Sequence, residues 1–89
     1  MPKRVDNNHR SIVLGLRGAG FSVVDLHELG RGCPDILCAG PGRAVLFEIK
    51  TPGAQLTPDE LKFFREYKGA AVVVHSLGEA LQAMEPVKT

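Results

Sequence analysis

Tryptophan is absent from this 89-residue chain, tyrosine occurs once, and cysteine occurs twice, as Cys33 and Cys38. Two cysteines are too few for the disulfide framework of a small secreted domain, and their five-residue spacing does not match a structural zinc site. We therefore expect both to be buried free thiols. The sequence also lacks an apolar run near the ~20 residues of a membrane span, and Met1–Arg4 is not followed by a signal-peptide core. These absences predict a cytoplasmic protein without a membrane partner.

An excess of charge is also missing, because 11 lysines and arginines stand against 10 aspartates and glutamates, for a net charge of +1. This balance argues against a protein that coats nucleic acid nonspecifically, but an enzyme acting on nucleic acid needs only a local basic surface. The hydrophobic content of 44% is typical of a folded domain. We expect a single domain over residues 1–89, with its core between about residues 6 and 84. Because so small a core is marginal, we also expect a homodimer.

Hydrophobic periodicity and turn residues predict the element order αβββαβα. The predicted helices are Asp6–Leu16, one that Thr57 opens and Gly69 ends, and Ser76–Met84. The predicted strands are Phe21–Leu26, Pro34–Ala39, Arg43–Lys50 and Ala70–His75. The fold class is therefore α/β, a mixed central sheet with helices on both faces and a right-handed crossover around the second helix. The last strand is almost wholly apolar, so we expect it in the sheet interior, covered on both faces.

The helix starts carry recognisable caps. Asp6, Asn7 or Asn8 can cap the first helix. The segment Thr57-Pro58-Asp59-Glu60 matches the spacing of a capping box, with proline at the first helical position. The second helix then presents a broad apolar face, which we expect to lie in the core or in a dimer interface. That face consists of Leu61, Phe63, Phe64 and Tyr67.

The candidate chemistry lies in the hairpin around Pro41-Gly42. If these two residues form its loop, the pairing continues until Asp35 faces Glu48, and directly paired side chains share one face. Lys50 follows Glu48 by two residues and points to the same face. The sequence thus predicts two carboxylates and one ammonium group at one end of an apolar hairpin.

Two adjacent carboxylates favour a shared proton or a divalent cation. Mg²⁺ prefers oxygen ligands and can polarise a phosphoryl oxygen, while Lys50 would complement negative charge that develops on phosphorus. The backbone carbonyl of Ile49 is a candidate further ligand. The alternative is that Asp35, Glu48 and Lys50 form only a structural ion-pair cluster at the end of the sheet.

The flanks of these residues resemble a known nuclease signature. Gly32-Cys33-Pro34-Asp35 followed by Phe47-Glu48-Ile49-Lys50 resembles the PD-(D/E)XK motif, and the wider chain is similar to its VRR-Nuc (virus-type replication-repair nuclease) branch. The resemblance covers roughly residues 6–84. It includes Thr51-Pro52, Leu56-Thr57-Pro58, Gly69 before a valine-rich strand, and Glu79-Ala80-Leu81.

This resemblance implies a restriction-endonuclease-like fold and cleavage of DNA phosphodiester bonds that depends on Mg²⁺ or Mn²⁺. It implies structure-specific endonuclease activity on branched DNA such as the four-way (Holliday) junction, by a homodimer, in the setting of DNA repair or phage replication in a bacterial or phage-infected cell. By residue, Asp35 and Glu48 would be metal ligands and Lys50 the catalytic lysine.

Two positions depart from the family pattern. Relatives often carry a glutamate near the position of Ser11, where serine is a poorer cation ligand. They commonly carry a glutamine near Glu60, whereas Gln55 here lies upstream in the loop. Glu60 has two interpretations, closure of the capping box or a contact to Lys50 or to a metal-bound water.

Candidate DNA contacts are Arg31, in a glycine-flanked loop before Asp35, and His9 and Arg10 on the first helix; for each, a solvated surface charge is the alternative. Two rival functions remain open at this point. The chain could be a catalytically weak or inactive DNA-binding or scaffold module with the same fold, which the missing first-helix glutamate favours. It could also be a subunit-assembly domain without affinity for nucleic acid.

Overall fold

The computed structural model describes residues 7–86, which form three helices and four strands. These are α1 (Asn7–Gly18), β1 (Ser22–Asp25), β2 (Ile36–Gly40), β3 (Arg43–Ile49), α2 (Pro58–Glu66), β4 (Ala71–Val74) and α3 (Leu77–Ala83), with a 3-10 turn at His27–Leu29. The α/β class is confirmed, and helices and strands follow one another in the predicted succession. The candidate cap Asp6 and the side chain of Asn7 lie outside the described part of the chain.

The strands form one mixed sheet in the order β1-β2-β3-β4. The β1–β2 and β2–β3 pairs are antiparallel, and β4 runs parallel to β3 because α2 carries the chain back along the sheet between them. The Pro41-Gly42 turn produces the predicted register, with Gly40 opposite Arg43. Gly42 has a φ of 72°, a conformation that glycine adopts without steric cost. The hairpin prediction is therefore confirmed.

The hydrophobic core lies between one face of this sheet and the helices α1 and α3. Along β3 the core residues are Val45, Phe47 and Ile49, which alternate and therefore share a face. The helices contribute Ile12, Leu16, Ala80 and Met84. α1 and α3 approach closely at Gly15, where any side chain would collide with Leu77. The intervening residues of β3, among them Glu48, face the other side of the sheet.

Helix α2 begins with the predicted capping box but buries none of its residues. Leu61 is 53% exposed and Tyr67 43% exposed. The expectation of a core position is therefore wrong for these two, because periodicity shows which residues share a side but not what covers that side. Their alternative, a dimer interface, stays a prediction.

The position of the last strand also differs from the prediction. β4 lies at an edge of the sheet, and Val72 is 37% exposed. The strand that is covered on both faces is β3, whose residues Val45–Ile49 are all buried. In β4 only Val74 is buried, so its apolar run predicted neither how well its side chains are covered nor how many strands adjoin it.

Several elements end a few residues away from their predicted ends. α1 continues to Gly18, beyond the predicted end at Leu16, and α2 ends at Glu66 rather than at Gly69. The latter helix stops early because Tyr67 takes an extended conformation, with φ −76° and ψ 128°. Within residues 7–86, no helix has the length and apolar character needed to cross a lipid bilayer.

Candidate active site

The β2–β3 register brings Asp35 next to Glu48. The last paired residues are Ile36 and Phe47, and the two acids follow them at the same end of the hairpin on the face opposite the core. Asp35 is fixed in two ways. Its carboxylate Oδ2 accepts a 2.8 Å hydrogen bond from the Ile49 amide, and its carbonyl accepts one of 2.8 Å from the Leu26 amide. The side chain of Asp35 thus completes the hairpin where the regular ladder ends.

Glu48 is the buried polar residue of the site. It is 3% exposed, and no N–H or cationic group among the described residues donates to its Oε1. Its hydrogen-bonding neighbours are the carboxyl groups of Asp35 and Glu60, which it can meet only while a proton is shared. Burial raises the pKa of Glu48 to about 8, and the negative charges of Asp35 and Glu60 act in the same direction. The carboxylate would therefore ionise fully at neutral pH only if a positive charge joined it.

Lys50 supplies a positive charge on the same face. Its Nζ lies 2.9 Å from Glu60 Oε1 and 3.8 Å from Glu48 Oε2. The hydrogen bond to Glu60 raises the pKa of Lys50 although burial opposes it. The side chain is therefore an ammonium ion that can donate hydrogen bonds and balance negative charge.

Glu60 fulfils both of its predicted interpretations at once. The Thr57 amide donates to Glu60 Oε1 at 2.9 Å, and the Glu60 amide donates to Thr57 Oγ1 at 3.2 Å, which completes the capping box. The same Oε1 accepts from Lys50. Burial opposes ionisation of Glu60, but the hydrogen bonds from Lys50 and from the Thr57 amide outweigh it, and the pKa of Glu60 is lowered. The first turn of α2 is thereby part of the site.

The donor set suits a hard divalent cation that keeps most of its water. Mg²⁺ is commonly held by one or two carboxylates, with water completing its octahedron. Asp35 and Glu48 offer two, and no cationic or N–H group of the described residues donates to Glu48 Oε1. Within residues 7–86, no three His, Cys, Asp or Glu side chains are arranged to hold a metal ion together. An ion here would therefore depend on these two carboxylates, on water and on backbone oxygen such as that of Ile49, whose role as a ligand stays a prediction.

The glycine before Cys33 determines how close α2 comes to the acids. Gly32 has a φ of 80°, and a Cβ at this position would collide with the backbone of Asp59. Only glycine lets the loop that leads into Asp35 lie directly against the first turn of α2. Cys33 follows as a half-buried free thiol, and burial together with the charges of Glu48 and Asp35 raises its pKa. Cys38 is buried in the core, as expected.

The predicted DNA contacts lie in two surface grooves. Arg31 is exposed, with a φ of 57°, and lines a groove of about 320 Å³ against α2. The other residues that line this groove are Asp59, Lys62, Phe63 and Glu66. His9 and Arg10 line a second groove, of about 220 Å³, together with Arg17 of α1 and Asp25 of β1. The first groove adjoins the site, because Gly32 joins Arg31 to the loop that carries Asp35.

Two residues that were predicted to support the site have no recorded contact with Asp35, Glu48 or Lys50. Ser11 lies exposed on α1, and Gln55 lies exposed in the loop before α2. Asn8, one turn earlier on α1, instead donates a 3.1 Å hydrogen bond to the carbonyl of His75, beside the end of β4. Sequence reasoning missed this bond and the one from the Ile49 amide to Asp35. No sequence pattern indicates either bond, because each depends on how separate segments pack in the fold.

Comparison of the chain with models of known protein families and with curated proteins finds no match.

Proposed function

We propose that this chain is a Mg²⁺- or Mn²⁺-dependent endodeoxyribonuclease with a restriction-endonuclease-like fold, similar to the VRR-Nuc nucleases, that cleaves branched DNA. One observation carries the proposal. Glu48 is buried beside Asp35, no cationic or N–H group of the described residues donates to its Oε1, and the ammonium of Lys50 stands 3.8 Å from its other oxygen, Oε2. Two acids and one amine on a single face fit metal-assisted phosphodiester hydrolysis, in which carboxylates hold the ion and a cation balances charge on the phosphate.

The purely structural alternative accounts less well for this arrangement. A buried polar atom without a partner costs roughly 1–3 kcal/mol, and a structural cluster gains stability only when its members are satisfied. Here the cation of the cluster pairs more closely with Glu60 than with Glu48, at 2.9 Å against 3.8 Å. A buried carboxyl beside two others must share a proton or bind a cation, and in this proposal a divalent cation takes the place of the proton at Glu48 during function.

Each residue of the site has a separate part in the proposed reaction. When bound, the divalent ion supplies Lewis-acid polarisation of a phosphoryl oxygen and a more acidic water molecule. Asp35 and Glu48 would hold that ion, and the hydrogen bond from the Ile49 amide fixes the Asp35 carboxylate at the end of the hairpin. Lys50 donates hydrogen bonds to the phosphate oxygens on which charge develops.

The groove between Arg31 and α2 is the proposed path of the DNA backbone next to the scissile bond. We expect Arg31→Ala to weaken junction binding several-fold and to lower the slope of log K against log salt by about 1, because one phosphate contact is lost. Arg65→Ala is the matched control, since Arg65 is an exposed arginine on α2 that does not line the groove. A filter-binding titration at several salt concentrations measures both. Equal effects of the two substitutions would remove Arg31 from the path.

The exposed apolar side chains of α2 support the proposed homodimer. Leu61 is 53% exposed and Tyr67, which follows the helix, is 43% exposed, and Phe63 stacks on Tyr67 with ring centroids 5.1 Å apart. Apolar surface of this kind is commonly covered by a partner. A dimer would present two cleavage sites to the two strands of a symmetric junction.

Cleavage of a labelled four-way junction by the purified protein in Mn²⁺ tests the function directly. We expect metal-dependent nicking that Asp35→Ala abolishes while its circular dichroism spectrum is retained, and light scattering should give twice the 9.6 kDa chain mass. Binding without cleavage under every divalent metal would instead support the noncatalytic DNA-binding module. Absence of any salt-sensitive mobility shift would support the assembly domain.

A further inference from the structure

We propose that Glu60 is a positioning residue that holds the ammonium of Lys50 at a fixed point and keeps it from closing onto Glu48. Its effect on cleavage rests on the proposed nuclease function, whereas the contact itself can be tested without any DNA.

The first argument is that Glu60 is itself anchored. Its Oε1 accepts two hydrogen bonds of 2.9 Å, one from the Thr57 amide and one from Lys50 Nζ. The first fixes the carboxylate to the backbone at the start of α2, so the oxygen that Lys50 meets cannot swing freely. The lysine ammonium stands on a flexible stem of four carbons, and a fixed hydrogen-bond acceptor restricts the positions that the ammonium can take. The two side chains are 17% and 16% exposed, so water screens the pair only in part.

The second argument concerns where Lys50 would go without Glu60. The next carboxylate is Glu48, whose Oε2 is already 3.8 Å from Nζ. If Glu60 were neutral, the negative charges left to attract Lys50 would be that of Asp35 and that of Glu48, which the approaching ammonium would itself help to ionise. The ammonium would then move towards the two oxygens that a divalent cation needs, and would compete with it.

The third argument is that the start of α2, which carries Glu60, is held at a fixed distance from the loop that carries Asp35. Gly32 lies against the backbone of Asp59, the residue before Glu60, with no room for a Cβ. The loop that leads into Asp35 and the first turn of α2 are therefore in direct contact. Backbone packing therefore sets how far the first turn of α2 lies from the hairpin, and the hydrogen bond from the Thr57 amide then sets where the Glu60 carboxylate stands.

Three substitutions separate positioning from capping. Glu60→Gln keeps an oxygen for the Thr57 amide, since glutamine also completes a capping box, but removes the negative charge that Lys50 meets. Thr57→Ala removes the hydroxyl half of the box and keeps the charge. Glu60→Ala removes the charge and the carboxylate half of the box, and it keeps the backbone amide that donates to the Thr57 hydroxyl. If Glu60 only capped the helix, Glu60→Gln would behave as wild type and Thr57→Ala would resemble Glu60→Ala.

The first measurement is trace acetylation of lysines, read by mass spectrometry in the metal-free and DNA-free protein. We expect Lys50 to be labelled several-fold more slowly than the exposed Lys62 in the wild type. We expect Glu60→Gln to remove most of that protection and Thr57→Ala to retain it. Unchanged labelling of Lys50 in Glu60→Gln would overturn the proposal, whatever the protein does to DNA.

The second measurement is cleavage of the four-way junction in Mn²⁺, with kcat and KM separated, and a melting temperature for each variant. We expect Glu60→Gln to lower kcat by about 10-fold to 100-fold, because a misplaced reacting group costs about that much, with KM for DNA and the melting temperature near wild type. Thr57→Ala should lose several degrees of melting temperature and keep kcat at low temperature. A wild-type kcat in Glu60→Gln would overturn the positioning role. If Glu60 protected Lys50 from acetylation but the wild-type protein cleaved no DNA, the contact would be supported and only the proposed nuclease function would be rejected.

Discussion

Replacement of Lys50 by alanine is expected to lower kcat on the four-way junction by roughly 100-fold to 1,000-fold, the loss seen when one donor to a developing oxyanion is removed. Lys50 stands 3.8 Å from Glu48 and carries its charge on the face where the acids meet. Because the ammonium is not a ligand of the ion, Mn²⁺ should still raise the melting temperature of Lys50→Ala. Affinity for the ion should stay the same or increase, since one competing positive charge is gone.

The matched control for this prediction is Lys68→Ala, which removes an exposed lysine just beyond the end of α2. It should leave kcat unchanged, because Lys68 is not among the residues that line the groove of Arg31 and has no recorded contact with the acids. Single-turnover cleavage and Mn²⁺ titration calorimetry provide the two measurements. If Lys50→Ala retained full kcat, Lys50 would be a structural counter-ion. If it lost Mn²⁺ binding instead, the ammonium would be needed to build the acid pair rather than to act on phosphate.

The central hairpin could be predicted from the sequence because local chemistry determines it. Pro41 and Gly42 specify a two-residue turn, and the turn sets which residues of β2 and β3 face each other. Once Gly40 faces Arg43, alternation alone places Asp35, Glu48 and Lys50 on one face. The capping box of α2 was predictable for the same reason, since Thr57 and Glu60 are three residues apart in one turn of helix.

The contact between Glu60 and Lys50 could be named only as one of two alternatives. Its formation depends on where the start of α2 comes to rest against the sheet, which no local pattern encodes. The structure shows that this placement is set by Gly32 against the backbone of Asp59, two residues that are 27 positions apart. The edge position of β4 and the exposure of Leu61 and Tyr67 escaped prediction for a related reason. They are properties of what lies next to a segment rather than of the segment.

Replacement of Glu48 by glutamine is expected to abolish the stabilisation by Mn²⁺ and to change how the metal-free protein responds to pH. The folded pKa of Glu48 is about 8, above its ordinary value of 4.5, because burial and neighbouring negative charges penalise the ionised form. The folded state therefore holds a proton that the unfolded state releases. This contribution to stability is fully present below pH 4.5 and is lost as pH rises towards 8.

Glutamine resembles the protonated acid in size and has no proton to lose, so the metal-free Glu48→Gln protein should not share this decline. At pH 5 the two proteins should melt at nearly the same temperature. At pH 8 the variant should be more stable by at least ~1 kcal/mol, which corresponds to several degrees in a domain of this size. Thermal melts in a chelating buffer from pH 5 to pH 9 measure the difference.

Addition of Mn²⁺ at pH 8 should reverse that order, because the ion neutralises the buried carboxylate that destabilises the wild type and finds one fewer ligand in the variant. Glu85→Gln makes the same chemical change at an exposed position and should follow the wild type in both experiments. An identical pH dependence in Glu48→Gln and wild type would show that Glu48 does not carry the buried proton. An equal gain from Mn²⁺ in both would place the ion elsewhere, and the two-carboxylate site would have to be abandoned.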